Sequence, residues 1–264
     1  MTFECLLVLA LGSRALTAAE PAELHRIASE HFTIHSEAFY PPEGLLNDLE
    51  GVNAKVARDL ILFAPWAKDA HIDLYLYRSS DSYRTQTGAK SWNTGHVDFS
   101  RRAIYTFQSD QLRRVLAHEL AHLFFDDFFL SASSSPAAGA SPRPAPLWLT
   151  EGVAVNMEWD YGMDRDDPFV QARAKARLLP LRDFLSFDYH QDAHENRMVS
   201  DWYVQAYSLV HFLMRRYPGL LFFTFCDGLR QGAPVDEALR RAYGPIFPDL
   251  SALERRWRES LGEK

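Results

Sequence analysis

The sequence predicts an α+β fold: a small N-terminal mixed sheet packed on the helix over residues 111–129, within a mostly helical C-terminal half. Three observations carry this. Ahead of residue 110, short segments rich in β-formers surround a single amphipathic helix. Beyond residue 110, apolar side chains recur at three- and four-residue steps, the period of a helix with one buried face. Hydrophobic residues make up 47% of the 264 and charged residues 24%, the composition of a folded globular chain rather than a disordered or fibrous one.

The elements follow in order. His31 to His35 (HFTIH) reads as a short strand. Over 44–63, Leu45, Leu49, Val52, Val56, Leu60 and Phe63 form an apolar stripe, and Pro65 ends that helix. His71 to Tyr77 (HIDLYLY) is a strand. Gly95–Phe99 and Ala103–Phe107 are extended, with Ser100 to Arg102 as the turn between them. Residues 111–129 are rich in Leu, Ala and Phe, without Pro or Gly, and read as one helix. Residues 147–159 resume an apolar helical pattern. Further helices are expected near 168–178, 201–216, 219–230, 235–242 and 248–261, the second of these striped by Tyr203, Tyr207, Val210 and Met214. Ser131 to Pro146 (SASSSPAAGASPRPAP) has four prolines and almost no large apolar side chain, so it reads as a flexible surface insertion. It interrupts a single catalytic domain expected over 20–264, sheet-rich to 110 and helical from 111.

Charge and cysteine content exclude several classes. The formal net charge is −7 and no long basic stripe occurs, so nucleic acid is not an expected partner. The two cysteines, Cys5 and Cys226, make neither a disulfide framework nor a zinc ribbon. Residues 3–11 (FECLLVLAL) form a short apolar run followed by Thr17-Ala18-Ala19, the pattern of a secretory leader cleaved after Ala19, although Glu4 stands where a positive charge is usual. A secreted or periplasmic protein is therefore expected. No later apolar run is long enough to span a bilayer, so no stable membrane insertion is expected after processing. Cleavage would leave Cys226 alone, and any metal would have to be held by nitrogen and oxygen.

His118-Glu119-Leu120-Ala121-His122 is an HExxH motif. On a helix, positions four apart share one face, so two imidazoles can bind one Zn²⁺ with a carboxylate held beside it to take a proton from activated water. The same pattern also suits a buried histidine pair satisfied by carboxylates. A third ligand comes into view at Leu147-Trp148-Leu149-Thr150-Glu151-Gly152-Val153-Ala154. A glutamate near a helix start often serves only the helix dipole. Glu151, however, is flanked by Trp148, Leu149, Val153 and Val155, and a carboxylate in apolar surroundings needs a partner.

HELAH followed by PLWLTEGVA resembles the gluzincin metallopeptidases, in particular their peptidase MA-like branch, and more distantly thermolysin and the M1 aminopeptidases. The resemblance spans roughly residues 30–260 in element order and is specific at the two zinc motifs. It implies a zincin-like fold, one Zn²⁺ on His118, His122 and Glu151, and Glu119 as general base. It also implies a tyrosine oxyanion donor within Asp201–Leu213 (DWYVQAYSLVHFL), where Tyr203 matches best and Tyr207 is the alternative. Two departures matter. Glu151 lies further from His122 than is typical, and the 131–146 insertion accounts for the excess. The region Trp92–Val97 (WNTGHV) lacks the acidic residue with which M1 aminopeptidases grip a free amine. What it offers instead is an edge strand around Gly95 and His96 that can pair with an extended peptide through its backbone.

The expected activity is peptide-bond hydrolysis by metal-activated water, with peptide or protein as substrate. A catalytically silent peptide- or partner-binding relative, or a zinc hydrolase of a non-peptide amide, are the alternatives. Oligomeric state is not legible. Asp126 or Asp127 is a candidate to orient a ligand histidine. His190 and His194, spaced like ligands, read as a solvated loop, and Cys226 reads as buried and inert.

Overall fold

The computed structural model describes residues 24–38, 42–90, 93–131, 143–158, 177–187 and 196–262. The leader expected at 1–19, most of the 131–146 insertion, all but the last two residues of the helix expected near 168–178, His190 and His194 lie outside the described residues. The fold is α+β, a five-stranded mixed sheet followed by a mostly helical half, as the patterning predicts. The chain divides into two compact units, Met1–Phe124 with Met157–Gly162, and Phe125–Asn156 with Met163–Lys264.

In the first unit the strands are β1 (His25–Ala28), β2 (Phe32–Ser36), β3 (Ile72–Tyr77), β4 (Gly95–Asp98) and β5 (Ala103–Phe107), in the order β1-β2-β3-β5-β4. β2, β3 and β5 run parallel, while β1 and β4 are antiparallel edges. Alternation along the strands gives the sheet two unlike faces. Ile34, Leu74 and Ile104 stand in register on one face, and Phe32, Ile72 and Leu76 join them there, all buried. On the other face His35, Tyr75, Tyr105 and His96 stand in register across four strands. Their rings stack with centroids 4.5, 4.5 and 4.8 Å apart.

Helix α1 (Leu45–Asp59) buries the predicted stripe of Leu45, Leu49, Val52 and Val56. It ends four residues short of Phe63, because Leu60 leaves the helical conformation and turns carry the chain on to Pro65. Its Glu50 reaches His31. Glu50 Oε1 accepts from the His31 backbone N–H, Oε2 lies 2.6 Å from Nδ1, and the Lys68 carbonyl lies 3.0 Å from Nε2. An oxygen acceptor at each ring nitrogen favours the protonated form of His31. Burial works against its charge, but Glu50 and the Lys68 carbonyl more than offset that and hold its pKa above the ordinary value.

Two elements of this unit have no apolar signature and escape the sequence reading. β1 is four residues of alternating exposure. Helix α2 (Ser80–Thr87) is mostly polar and is defined by its ends: Ser79 Oγ accepts from the Ser82 N–H, and Gly88 takes the left-handed conformation at φ 69°. Its one large buried side chain, Tyr83, packs on the aromatic face of the sheet with Tyr75, Tyr77 and Tyr105.

Helix α3 (Leu112–Leu130) begins in the first unit and continues into the second. From Val115 to Asp126 every residue is buried. The second unit holds helices α4 (Leu147–Glu158, as far as Asn156), α5 (Leu181–Ser186), α6 (Asn196–Arg215), α7 (Gly219–Arg230), α8 (Val235–Tyr243) and α9 (Leu250–Ser260). The long amphipathic α6 is its centre. Trp257 of α9 donates to Ser208 Oγ at 2.9 Å, and Tyr243 of α8 donates to the Leu213 carbonyl at 2.9 Å. Cys226 is a buried free thiol. Among the described residues no helix is long and apolar enough to cross a membrane.

Candidate metal centre

The HExxH segment lies in the middle of α3, where His118, Glu119 and His122 are all buried. The four-residue step brings His118 Nε2 and His122 Nε2 to 3.0 Å, with ring centroids 4.7 Å apart. His118 Nδ1 lies 2.5 Å from Glu158 Oε1. That carboxylate favours a proton on Nδ1, which leaves the Nε2 lone pair bare and aimed at the neighbouring imidazole. Two imidazole nitrogens held this close call for a shared proton or a cation. Glu151, buried on α4, completes the cluster: ligand atoms of His118, His122 and Glu151 all lie within 4.8 Å of one another. They form a buried His-His-Glu triad that can hold a metal ion.

Glu119 stands beside the triad and does not join it. Neither of its carboxylate oxygens accepts a hydrogen bond among the described residues, though both are buried. Burial pushes its pKa up to about 8; the nearby His122 opposes the shift and Glu158 adds to it. β4 approaches Glu119 closely through Gly95. A Cβ at position 95 would meet Glu119 Oε1 at 2.8 Å, Val115 Cγ1 at 3.0 Å and Glu119 Cγ at 3.1 Å. The glycine therefore lets the edge-strand backbone reach the carboxylate. His96, one residue on, carries its ring on the opposite face of the sheet. There it stacks on Tyr105 and its Nδ1 lies 2.8 Å from the Tyr83 hydroxyl. Burial lowers its pKa to about 4.

On α4, Gly152 follows Glu151 because α6 passes against it. A Cβ there would fall 2.4 Å from Val210 Cγ2 and 2.7 Å from the Ala206 carbonyl. Asn156 further fixes this contact by donating to the Gly152 and Tyr207 carbonyls. Tyr203 and Tyr207 are both buried on α6, Tyr203 edge-on to Trp202 and Tyr207 against the ring of His211.

The chain matches the family model of the Peptidase MA superfamily over residues 63–263. It belongs to the Peptidase MA superfamily. Membership brings a peptidase domain, with peptide or protein as its class of substrate, and a family that is generally metal-dependent. Among curated proteins, none matches the chain at a significant level. The matched region of this Peptidase MA domain includes all three triad residues as well as β4 and α6.

One residue of the centre is missed by reading the sequence. Glu158 supplies the partner of His118 Nδ1. Asp126, one turn beyond His122, accepts from Thr150 Oγ1. The signal lies in the spacing. Glu158 comes two helical turns after Glu151, so both carboxylates share one face of α4.

Proposed function

We propose that this chain is a zinc metallopeptidase of the gluzincin type. The observation that carries the reading is the convergence of two buried imidazoles and a buried carboxylate, with a second, unbonded carboxylate at their side. Two nitrogens and one oxygen suit Zn²⁺, and three protein ligands leave one position open for chemistry. Zinc, when bound, supplies the Lewis acidity that activates water and polarises a carbonyl near neutral pH.

The remaining roles fall to the chain. His118, His122 and Glu151 hold the ion. Glu119 takes a proton from the attacking water and delivers it to the leaving amine. Tyr203, with Tyr207 as the alternative, donates a hydrogen bond to the oxyanion that develops on the scissile carbonyl. The β4 backbone at Gly95 and His96 pairs with an extended substrate, bringing its carbonyl past Glu119. His96 supports that strand through Tyr105 and Tyr83.

The test is a peptide-library digest read by mass spectrometry, run on the native chain and on Glu119→Gln, with metal analysis of both. Native cleavage, its loss in the variant and equal zinc in both support the proposal. Full activity in Glu119→Gln overturns the mechanism. Stoichiometric zinc without peptide cleavage points to the silent binder or to a hydrolase of non-peptide amides. Native protein without zinc, purified in the absence of chelator, overturns the metal assignment.

A further inference from the structure

We infer that a cavity beside the first half of α6 is a second ligand site, shaped for a free α-amino acid with a large apolar side chain. The cavity measures about 210 Å³ and is walled by Leu179, Phe187, Met198 and Trp202, with Arg177 and Asp201 also on its lining. An apolar cavity of about 150 Å³ holds benzene, so this one has room for a ring or a branched chain with its α-carbon. The wall is fixed in advance. Gln205, itself buried, accepts from the Leu179 N–H at 2.8 Å and donates to the Leu179 carbonyl at 2.9 Å. Arg258 donates to the same carbonyl at 3.1 Å. Trp202 is buried against the rings of Phe184 and Tyr203, at 5.9 and 5.1 Å.

The charged groups set the chemistry of the ligand. Arg177 is exposed and makes no ion pair or hydrogen bond among the described residues, so its guanidinium can take a carboxylate. Asp201 is half-buried, and a carboxylate has about four lone-pair positions, so it can accept from an ammonium alongside any partner in the chain. One cation, one anion and an apolar wall are the complement of an amino-acid zwitterion. A fatty acid or a peptide terminus would use only one of the two charges. Free amino acids are also a product class of the peptidases to whose superfamily the chain belongs. Met198, Asp201, Trp202 and Gln205 are spaced i, i+3, i+4 and i+7 and share one face of α6. Ala206 and Val210, which meet Gly152, share another face with Tyr203. The cavity therefore lies on a different face of α6 from the proposed oxyanion donor, and its ligand does not depend on the metal assignment.

The experiment is calorimetric titration of the full chain with phenylalanine and leucine, beside glycine, N-acetylphenylalanine and phenylalanine amide. Phenylalanine and leucine are expected to bind at one site, and glycine is not. Each blocked derivative should bind about tenfold or more weakly than phenylalanine, through loss of one charged hydrogen-bonding partner. Arg177→Ala should weaken phenylalanine by a similar factor and leave peptide cleavage at the native level. Met198→Trp fills the cavity and should abolish binding. Should that variant fail to fold, the surface variant Arg177→Ala still decides. No saturable binding of either amino acid at about 10 mM, or binding that Arg177→Ala leaves unchanged, overturns the inference. Equal binding of N-acetylphenylalanine and phenylalanine overturns it in favour of a peptide C-terminus. A native chain that binds phenylalanine but cleaves no peptide overturns the proposed activity and leaves this site standing.

Discussion

His31 and His118 each place Nδ1 within 2.6 Å of a glutamate oxygen, yet they have opposite characters. At His31 the second ring nitrogen meets the Lys68 carbonyl, so an oxygen acceptor satisfies each side of the ring and nothing further is required. At His118 the second nitrogen meets another imidazole nitrogen at 3.0 Å, with a glutamate ligand atom close by. The first histidine is a completed structural staple. The second stands in a His-His-Glu cluster that can hold a cation. What separates them is the atom opposite Nε2, which residue type and a carboxylate neighbour alone do not reveal.

The largest effects should come from breaking the second arrangement. His122→Ala and Glu151→Ala are expected to abolish stoichiometric zinc and reduce peptide cleavage to background, read by metal analysis and the library digest. His31→Ala should leave zinc and cleavage unchanged. Removing zinc with a chelator should lower the unfolding temperature of the native chain, because an ion that binds only the folded state stabilises it, and should leave the temperature of Glu151→Ala unmoved.

Gly95→Ala should sharpen the distinction between holding the ion and using it. The added methyl would press first on the Glu119 side chain and on Val115 Cγ1. Cleavage is expected to fall by about tenfold or more through misplacement of the base, with zinc content unchanged. Equal loss of zinc and activity would show that Gly95 supports the whole centre.

Smaller effects belong to the staple. His31→Ala is expected to lose about 1–2 kcal/mol of stability, the scale of hydrogen bonds to charged groups, measured by urea unfolding near pH 5.5. The pH dependence has a definite sign. The raised pKa of His31 gives a contribution that is full below 6.5 and lost as pH rises through the folded value. Burial works against the charged form of Glu50, but the neighbouring Ser29 hydroxyl and the hydrogen bonds from His31 leave its pKa lowered. Its contribution is therefore full above 4.5 and lost as pH falls through the folded value. The difference between native and His31→Ala should be greatest between those two values and shrink by pH 8.5. His96 has the opposite sign. Its pKa is depressed by burial to about 4, so its share of stability falls as pH drops from 6.5 towards 4, and His96→Gln should flatten that slope.

Reading the sequence found the elements whose evidence is periodic. The stripe of α1, the β-formers of β3 and the apolar run of α4 each announce a buried face. α2 was hidden because its ends are set by Ser79 and Gly88 and its middle is polar. At the centre, spacing alone placed His118, Glu119 and His122 on one helix, and apolar neighbours drew attention to Glu151. Glu158 was not legible in the same way. It stands last in α4, where a glutamate ordinarily meets solvent, and only the packing of α3 reveals that it is buried.

Gly152 leaves a different kind of consequence. Because no side chain fits between α4 and α6 there, the phase of Glu151 is dictated by a helix that supplies none of the triad's side chains. Ala206 and Val210 act as a set-screw behind Glu151. Libraries that vary the bulk of those two positions would turn the carboxylate by small increments, a means of retuning ion preference without altering any donor atom.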